Sequence, residues 1–495
     1  MSESPTKSLV FLGVQLGPKQ VEAVAVTENG EEIAESAAPY NHPHAPPLAK
    51  GRVEQMPEVW WDATRLALGH MTTQLRGKGV SPSQVRAISV CGIPGTIAIL
   101  DRNGKTLAPA IMYDDARAVD QIPRLNMMGT DHCRRMGFQF KADDAIAKIA
   151  WIKDNQPELY EVAVFAHQTD YVIGRLKGSI NATEYSIAMY TGCDLIDESW
   201  PDWLDYDMHL GVRERLPKLY SLGETVGKVC SAAASSTGLP QGMAVVMGTT
   251  TETADFLGSG ARKLGDFFTH LDDTMSISGV TKKILQYPHH LVGMFKLPGG
   301  AWFFTTQCNT GAEWIKSWFK GSNLHDIEVN AEKLLPTDYL AYPNSRKGET
   351  FPFILNSAEG FISPATDNLV VQFASCLQGT ALFERMCYTK LDQLADLHNS
   401  QGDIYTGGPW AKYDSWMQCR ADVTGRVNRR TTSSNSPAFG SALIGAIGSH
   451  FKTFETAADE MVHIDQTFFP DPSRISLYSE RFASFTETME SQGFI

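Results

Sequence analysis

The sequence predicts an α/β protein built as two related halves. Short strand-like runs closed by glycine turns alternate with segments of helical spacing, which is the pattern of α/β folds. The same order starts again near residue 245. Length agrees with this: 495 residues exceed what one hydrophobic core holds, so two large domains are expected.

The first half opens with LVFLGVQLG at 9–17 and VEAVAVTENGEEIAES at 21–36, which read as strands. Asn29-Gly30 within the second stretch is a hairpin signal, because both residues tolerate positive φ. PEVWWDATRLALGHMTTQLRG then has helical spacing and begins after Pro57. RAISVCGIPGTIAILDRNGKTLAPAIM at 86–112 repeats the strand theme, with Asn103-Gly104 as a second hairpin. Helices are expected around 140–155 and 160–176. The second half runs from AVVMGTTTE through DFFTHLDDTMSISGVTKK and HHLVGMFKLPGGAWFF to a helix from about 309 and a long one over 366–398. GDIYTGGPW and the small-residue helix SPAFGSALIGAIGSHF complete it. Each half is expected to hold a mixed five-stranded sheet.

Composition excludes several classes. A net charge of −13 with no basic block makes a poor nucleic-acid binder. The longest apolar stretches are too short to span a bilayer. MSESPTKSLVF lacks the charged-then-apolar order of a secretion signal, so a cytoplasmic protein is expected. The eight cysteines contain no CxxC pair and read as reduced, mostly buried thiols. DHC at 131–133 and NHPH at 41–44 have no partner at zinc spacing and read as surface loops.

The motifs together resemble the FGGY family of carbohydrate kinases. GVQLGPKQVEAVAV stands where that family has GxDxGTxxxKAxxx, and GRVEQMPEVWW resembles its GxxEQDPExWW. CGIPGTIAILDRNGKTLAPAIMYDDARA resembles its strand pair ending in W/Y-N-D-x-R-A. AHQTDYVIGRLKG, DESWPDWL and GTTTETADFLGSG resemble the branch that phosphorylates ribulose or xylulose. CNTGAEW and YTGGPW resemble its nucleotide-side turns. The likeness spans nearly the whole chain.

The resemblance implies two ribonuclease-H-like domains of the actin and hexokinase type around a central cleft. Residues 1–258 would form the sugar side and 259–495 the nucleotide side. ATP and Mg²⁺ would be the cofactors, a ketopentose or polyol the substrate, and no nucleic acid or membrane a partner. A homodimer remains open. Gly95, Thr96, Tyr113, Asp115 and Arg117 would contact the sugar. Gly17, Thr274, Asn309, Gly311, Gly407 and Gly408 would contact the nucleotide, glycines there leaving room for a close ligand.

Three motifs depart from the family pattern. The family's proton-accepting Asp falls on Thr251, and a hydroxyl accepts no proton at neutral pH. Glu252 is the nearest substitute, with Asp255 a helical turn further on. The Asp that organises magnesium falls on Gln15, the neighbouring Thr on Pro18, and a basic residue on Glu22. Hard cations prefer charged oxygens, so Gln15 is a weak ligand. The small phosphate turn is replaced by Asp272 and Asp273, leaving Thr274, and two carboxylates repel phosphate unless a metal bridges them. A sugar kinase with weak or lost turnover, and a sugar- or nucleotide-binding pseudokinase with a regulatory or scaffold role, are the two readings.

Overall fold

The computed structural model describes residues 8–41, 50–205, 210–288, 291–397, 402–432 and 436–495. His42 and His44 of NHPH lie outside them. The chain divides into two compact units. One comprises residues 1–258, 295–300 and 434–462, the other 259–294, 301–433 and 463–495. Two late segments thus return to the first unit.

The first unit carries strands β1 Val10–Leu16, β2 Gln20–Thr27, β3 Glu32–Pro39, β4 Glu54–Gln55, β5 Val85–Gly92, β6 Ile97–Leu100, β7 Thr106–Ile111, β8 Val164–His167, β9 Ala182–Glu184, β10 Lys218–Tyr220, β11 Thr225–Lys228 and β12 Ala244–Val246. Its main sheet is six-stranded, in the order β11-β12-β5-β1-β2-β3. β1, β5 and β12 run parallel, and β2, β3 and β11 are antiparallel to their neighbours. A four-stranded sheet, β4-β7-β6-β8, adjoins it in sequence. Both expected hairpins form. Gly30 and Gly104 take positive φ, and the Asp101 carboxylate accepts from the amides of Asn103 (2.8 Å) and Lys105 (2.9 Å).

The helix Pro57–Gly77 starts at its proline and buries Trp60, Ala67, Leu68, Met71 and Leu75 against the β-sheet core. The small-residue helix Pro437–Ser449 belongs to this unit and packs on β1, β5 and the helix Thr251–Gly258. Its glycines and alanines let the backbones come close, which larger side chains would prevent.

The second unit carries β13 Phe267–Leu271, β14 Met275–Thr281, β15 Val292–Lys296, β16 Trp302–Cys308, β17 Leu340–Tyr342, β18 Phe361–Ser363, β19 Ile404–Gly407, β20 Asn428–Thr431 and β21 Ile464–Phe468. Seven of them form one sheet, β15-β16-β14-β13-β19-β20-β21. The long helix Leu369–Ala395 covers it, and Phe267, Trp314, Phe373 and Trp416 anchor the core.

Several expectations need correction. The main sheets have six and seven strands rather than five, because edge strands of mixed polarity, such as β11 and β21, carry little periodic signal. The expected helix over 160–176 is two helices, Pro157–Val162 and Gln168–Lys177, separated by β8, a short apolar run that periodicity does not distinguish from helix. DHC lies on the helix Thr130–Met136, where His132 and Cys133 are buried, not on a surface loop. Seven of the eight cysteines are buried and Cys230 partly so; all are free thiols. Among the described residues, no helix is long and apolar enough to cross a membrane.

Candidate active site

Parallel strands present ligands at their carboxyl ends, where the chain turns away from the sheet. In the first unit those ends belong to β1, β5 and β12. Gln15 pairs in register with Cys91, and Gly92 bridges Thr250, its amide donating to the Thr249 carbonyl at 3.2 Å. Gln15, Gly92 and the threonine turn therefore share one edge. Gly248 enters that turn so close to β5 that a Cβ there would lie 1.8 Å from the Val90 carbonyl oxygen. Only glycine fits, which explains the first letter of GTTT.

The three threonines have different roles. Thr249 donates to the buried Glu184 carboxylate at 2.9 Å. Thr250 caps the helix Thr251–Gly258, accepting from the Thr253 amide at 3.1 Å. The Thr251 hydroxyl is shielded from solvent and has no hydrogen-bond partner among the described residues. Glu252 keeps exposed surface. It is nonetheless recessed among enough protein that lost solvation raises its carboxyl above the ordinary range, with the Asp255 charge adding to this.

The sugar-side candidates lie on two loops of the first unit. Gly95 and Thr96 lead into β6, and Tyr113, Asp115 and Arg117 follow β7. The loops are joined: the Tyr113 amide donates to Thr96 Oγ1 at 3.0 Å. Asp115 is buried and saturated. It accepts from Arg117 Nε (2.8 Å) and Nη2 (2.7 Å), and from the amides of Arg117 (2.9 Å) and Val53 (2.6 Å). Burial alone would raise this carboxyl, but these bonds outweigh it and hold it below the ordinary range. Arg117 also pairs with Glu54 at 2.7 Å and lies over the Trp151 ring. The pair is built into the fold, and Tyr113 is the more accessible of the expected contacts.

The β1–β2 turn is tight, with the Gly17 amide donating to the Gln20 carbonyl at 3.0 Å. Pro18 and Lys19 are exposed at its tip. Glu22 is held by the Gln20 side chain at 2.8 Å.

In the second unit, Asp272, Asp273 and Thr274 form the β13–β14 turn. The Asp273 amide donates to its neighbour's carboxylate (Asp272 Oδ1, 2.8 Å), and Lys316 pairs with Asp273 at 2.6 Å. Thr274 accepts from Gln307 at 2.9 Å. Gly311 faces this turn, and a Cβ there would lie 2.5 Å from the Asp273 carbonyl oxygen. Its glycine is explained by backbone packing rather than by a ligand. Asn309 is spent as well: Glu349 accepts its amide at 2.7 Å, and its side chain donates to the Gly348 carbonyl at 3.0 Å. Gly407 and Gly408 end β19 beside the same turn, and Trp410 donates its amide to Leu271 at 3.4 Å. Trp410 stacks on Tyr413, with Lys316 and Lys412 over its ring.

Among the described residues, no group of three or more His, Cys, Asp or Glu side chains is arranged to hold a metal ion.

The buried polar residues beneath these loops escaped sequence reasoning. Lys148, His167, Asp170, Glu184 and Glu349 are nearly or fully buried. Lys148 lies in AIAKIAW and Glu184 in NATEY, and neither context marks a charged residue as internal. The apolar spacing around Lys148 was the one available signal.

Family models decide the identity. The model described as the FGGY family of carbohydrate kinases, N-terminal domain, matches residues 10–258, and its C-terminal counterpart matches 290–449. The chain belongs to the FGGY family of carbohydrate kinases. Curated relatives include the xylulose kinase of Bacillus subtilis (strain 168), 25% identical over 95% of each chain. The autoinducer-2 kinase of Escherichia coli O139:H28 is 24% identical, covering 96% of this chain and 93% of its own. Among solved structures, the xylulose kinase from Rhodospirillum rubrum superposes with a TM-score of 0.80 at 20% identity, over 97% of this chain and 98% of that one. At that identity it establishes the fold, the two-domain α/β architecture of these FGGY kinases.

Proposed function

We propose that this FGGY protein binds a ketopentose or polyol through its first unit and has lost most of the family's phosphoryl transfer. The observation that carries this is Thr251. It opens the helix after β12, at the position where the family resemblance puts the base, and it offers a neutral hydroxyl. General base catalysis contributes roughly 10²–10⁴ in rate. The other altered positions point the same way. Gln15 is uncharged, Asp273 is neutralised by Lys316, and the turn that the resemblance assigns to phosphate presents carboxylates. These groups do not suit a magnesium–triphosphate. The relatives named xylulose kinase support a five-carbon ketose as ligand.

Glu252 favours a second reading, in which it replaces the missing aspartate. Glu252 follows Thr251 in the chain, and burial raises its carboxyl above the ordinary range, the direction that makes a carboxylate a stronger base.

Isothermal titration with D-xylulose, D-ribulose and polyols, then with ATP and Mg²⁺, tests the proposal together with a coupled assay for ADP release. Sugar binding with little turnover is expected. Thr251→Asp alone is expected to restore little, and Thr251→Asp with Gln15→Asp, Asp272→Gly and Asp273→Ser considerably more. Rapid turnover by the unmodified protein, abolished by Glu252→Gln, would overturn the pseudokinase reading.

A further inference from the structure

Lys148 is a fully buried cation on the helix Ala145–Asn155, and among the described residues its ammonium forms no hydrogen bond to a carboxylate. It donates instead to three backbone carbonyls: Asp143 at 2.5 Å, Gly95 at 2.8 Å and Tyr113 at 3.4 Å. An ammonium has three N–H bonds, and each has an acceptor. The acceptors belong to three separate loops, 93–96, 112–117 and 140–144. Two of these carry every sugar-side candidate. A methionine would fill the same space and tie nothing together, so packing alone does not call for lysine here.

We propose that Lys148 is a positioning residue for the sugar side, its ammonium fixing these three loops in one mutual arrangement. For the sugar, the proposal rests on the reading above. Thr96 accepts the Tyr113 amide, and Asp115 holds the second loop to Val53. Among the described residues, Lys148 is the one side chain donating to all three carbonyls. Titratable groups lie around it. Asp143 and Asp144 lie at its helix start, Asp114 and Asp115 on the second loop, and His167 at the end of β8. Tyr190 lies near Asp143 and Asp144. Burial draws the Lys148 pKa down to about 8, the nearby carboxylates partly offsetting it. Above that pH the neutral amine keeps two N–H bonds for three carbonyls.

Hydrogen exchange at the amides of Tyr113, Asp115, Ala116 and Arg117, with D-xylulose titrations from pH 7 to 9.5, tests this on the full chain. Lys148→Met should cut protection at these amides by about ten- to a hundredfold, the equivalent of a lost charge-assisted hydrogen bond, and weaken sugar binding in parallel. Lys148→Arg should keep both. In the wild type, protection and affinity should fall above pH 8 relative to Lys148→Arg, whose charge does not titrate there. A folded Lys148→Met with unchanged protection and affinity would overturn the proposal. If Lys148→Met does not fold, the same pH-dependent fall in Lys148→Arg as in wild type overturns it, and its absence supports it. If the wild type binds no ketopentose or polyol, the functional reading fails, and exchange alone decides the role of Lys148.

Discussion

Asp115 and Thr251 sit on the same unit and were both singled out for chemistry, yet their surroundings are opposite. Asp115 is a carboxylate whose every strong acceptor position is filled by Arg117 and Val53. Thr251 is a neutral hydroxyl with no partner among the described residues. The residue with greater chemical power is committed to the fold, and the weaker one is uncommitted. What a site can do depends on which polar atoms the fold leaves unspent, and residue type alone does not report that.

The comparison breaks first at Asp115. Asp115→Ala leaves a buried guanidinium with only Glu54, so unfolding free energy should fall by about 3–5 kcal/mol in urea denaturation. A loss below about 1 kcal/mol would show that the pair is dispensable and that Asp115 is held for a ligand instead. Glu349 is the second unit's counterpart. It gathers the amides of Asn309, Thr310 and Thr350 and the hydroxyls of Thr310 and Tyr342. Glu349→Ala should cost about 3 kcal/mol by the same measurement, since several buried donors lose their acceptor together.

A smaller effect is set by pH. Burial raises the carboxyls of Asp144 and Glu184 to about 7 and of Asp170 to about 8. The folded state then holds more protons than the unfolded chain, so these groups remove stability as pH rises from about 4 through 8. His167 works the other way. Burial and the Lys148 charge lower it to about 3, so it removes stability only as pH falls below about 6.5. Between pH 6.5 and 8 the carboxyls dominate. The Tm should be lower at pH 8 than at 6.5, and Asp170→Asn should flatten that slope. A Tm that rises over this interval would contradict the assignment.

The smallest effect is expected at Thr251 itself. Thr251→Val removes a hydroxyl that bonds nothing among the described residues, so stability should change by no more than about 0.5 kcal/mol, or rise slightly. A loss comparable to that of Asp115→Ala would mean the hydroxyl has a partner after all. Lys316→Ala should likewise leave the Tm unchanged, because its pair with Asp273 is exposed to solvent.

The sequence alone determined the α/β class, the two hairpins at Asn29-Gly30 and Asn103-Gly104, the helix opening at Pro57 and the family. Each rests on local signals: turn residues with special φ, a proline at a helix start, or motifs read in order along the chain. It also singled out Gln15, Thr251, Asp272 and Asp273, the positions where the family resemblance expects other residues, since matching motifs needs only their order. Tertiary structure alone decided which side chains remain available. Gly248 and Gly311 are glycines because another backbone passes within contact distance, and the residues that supply it lie far away in sequence. Asp115 is saturated partly by Val53, 62 residues away in sequence, and Lys148 reaches the Gly95 carbonyl 53 residues away. Edge strands such as β11 and buried charges such as Glu184 leave no periodic trace, because pairing and burial are set by neighbours the local sequence does not contain.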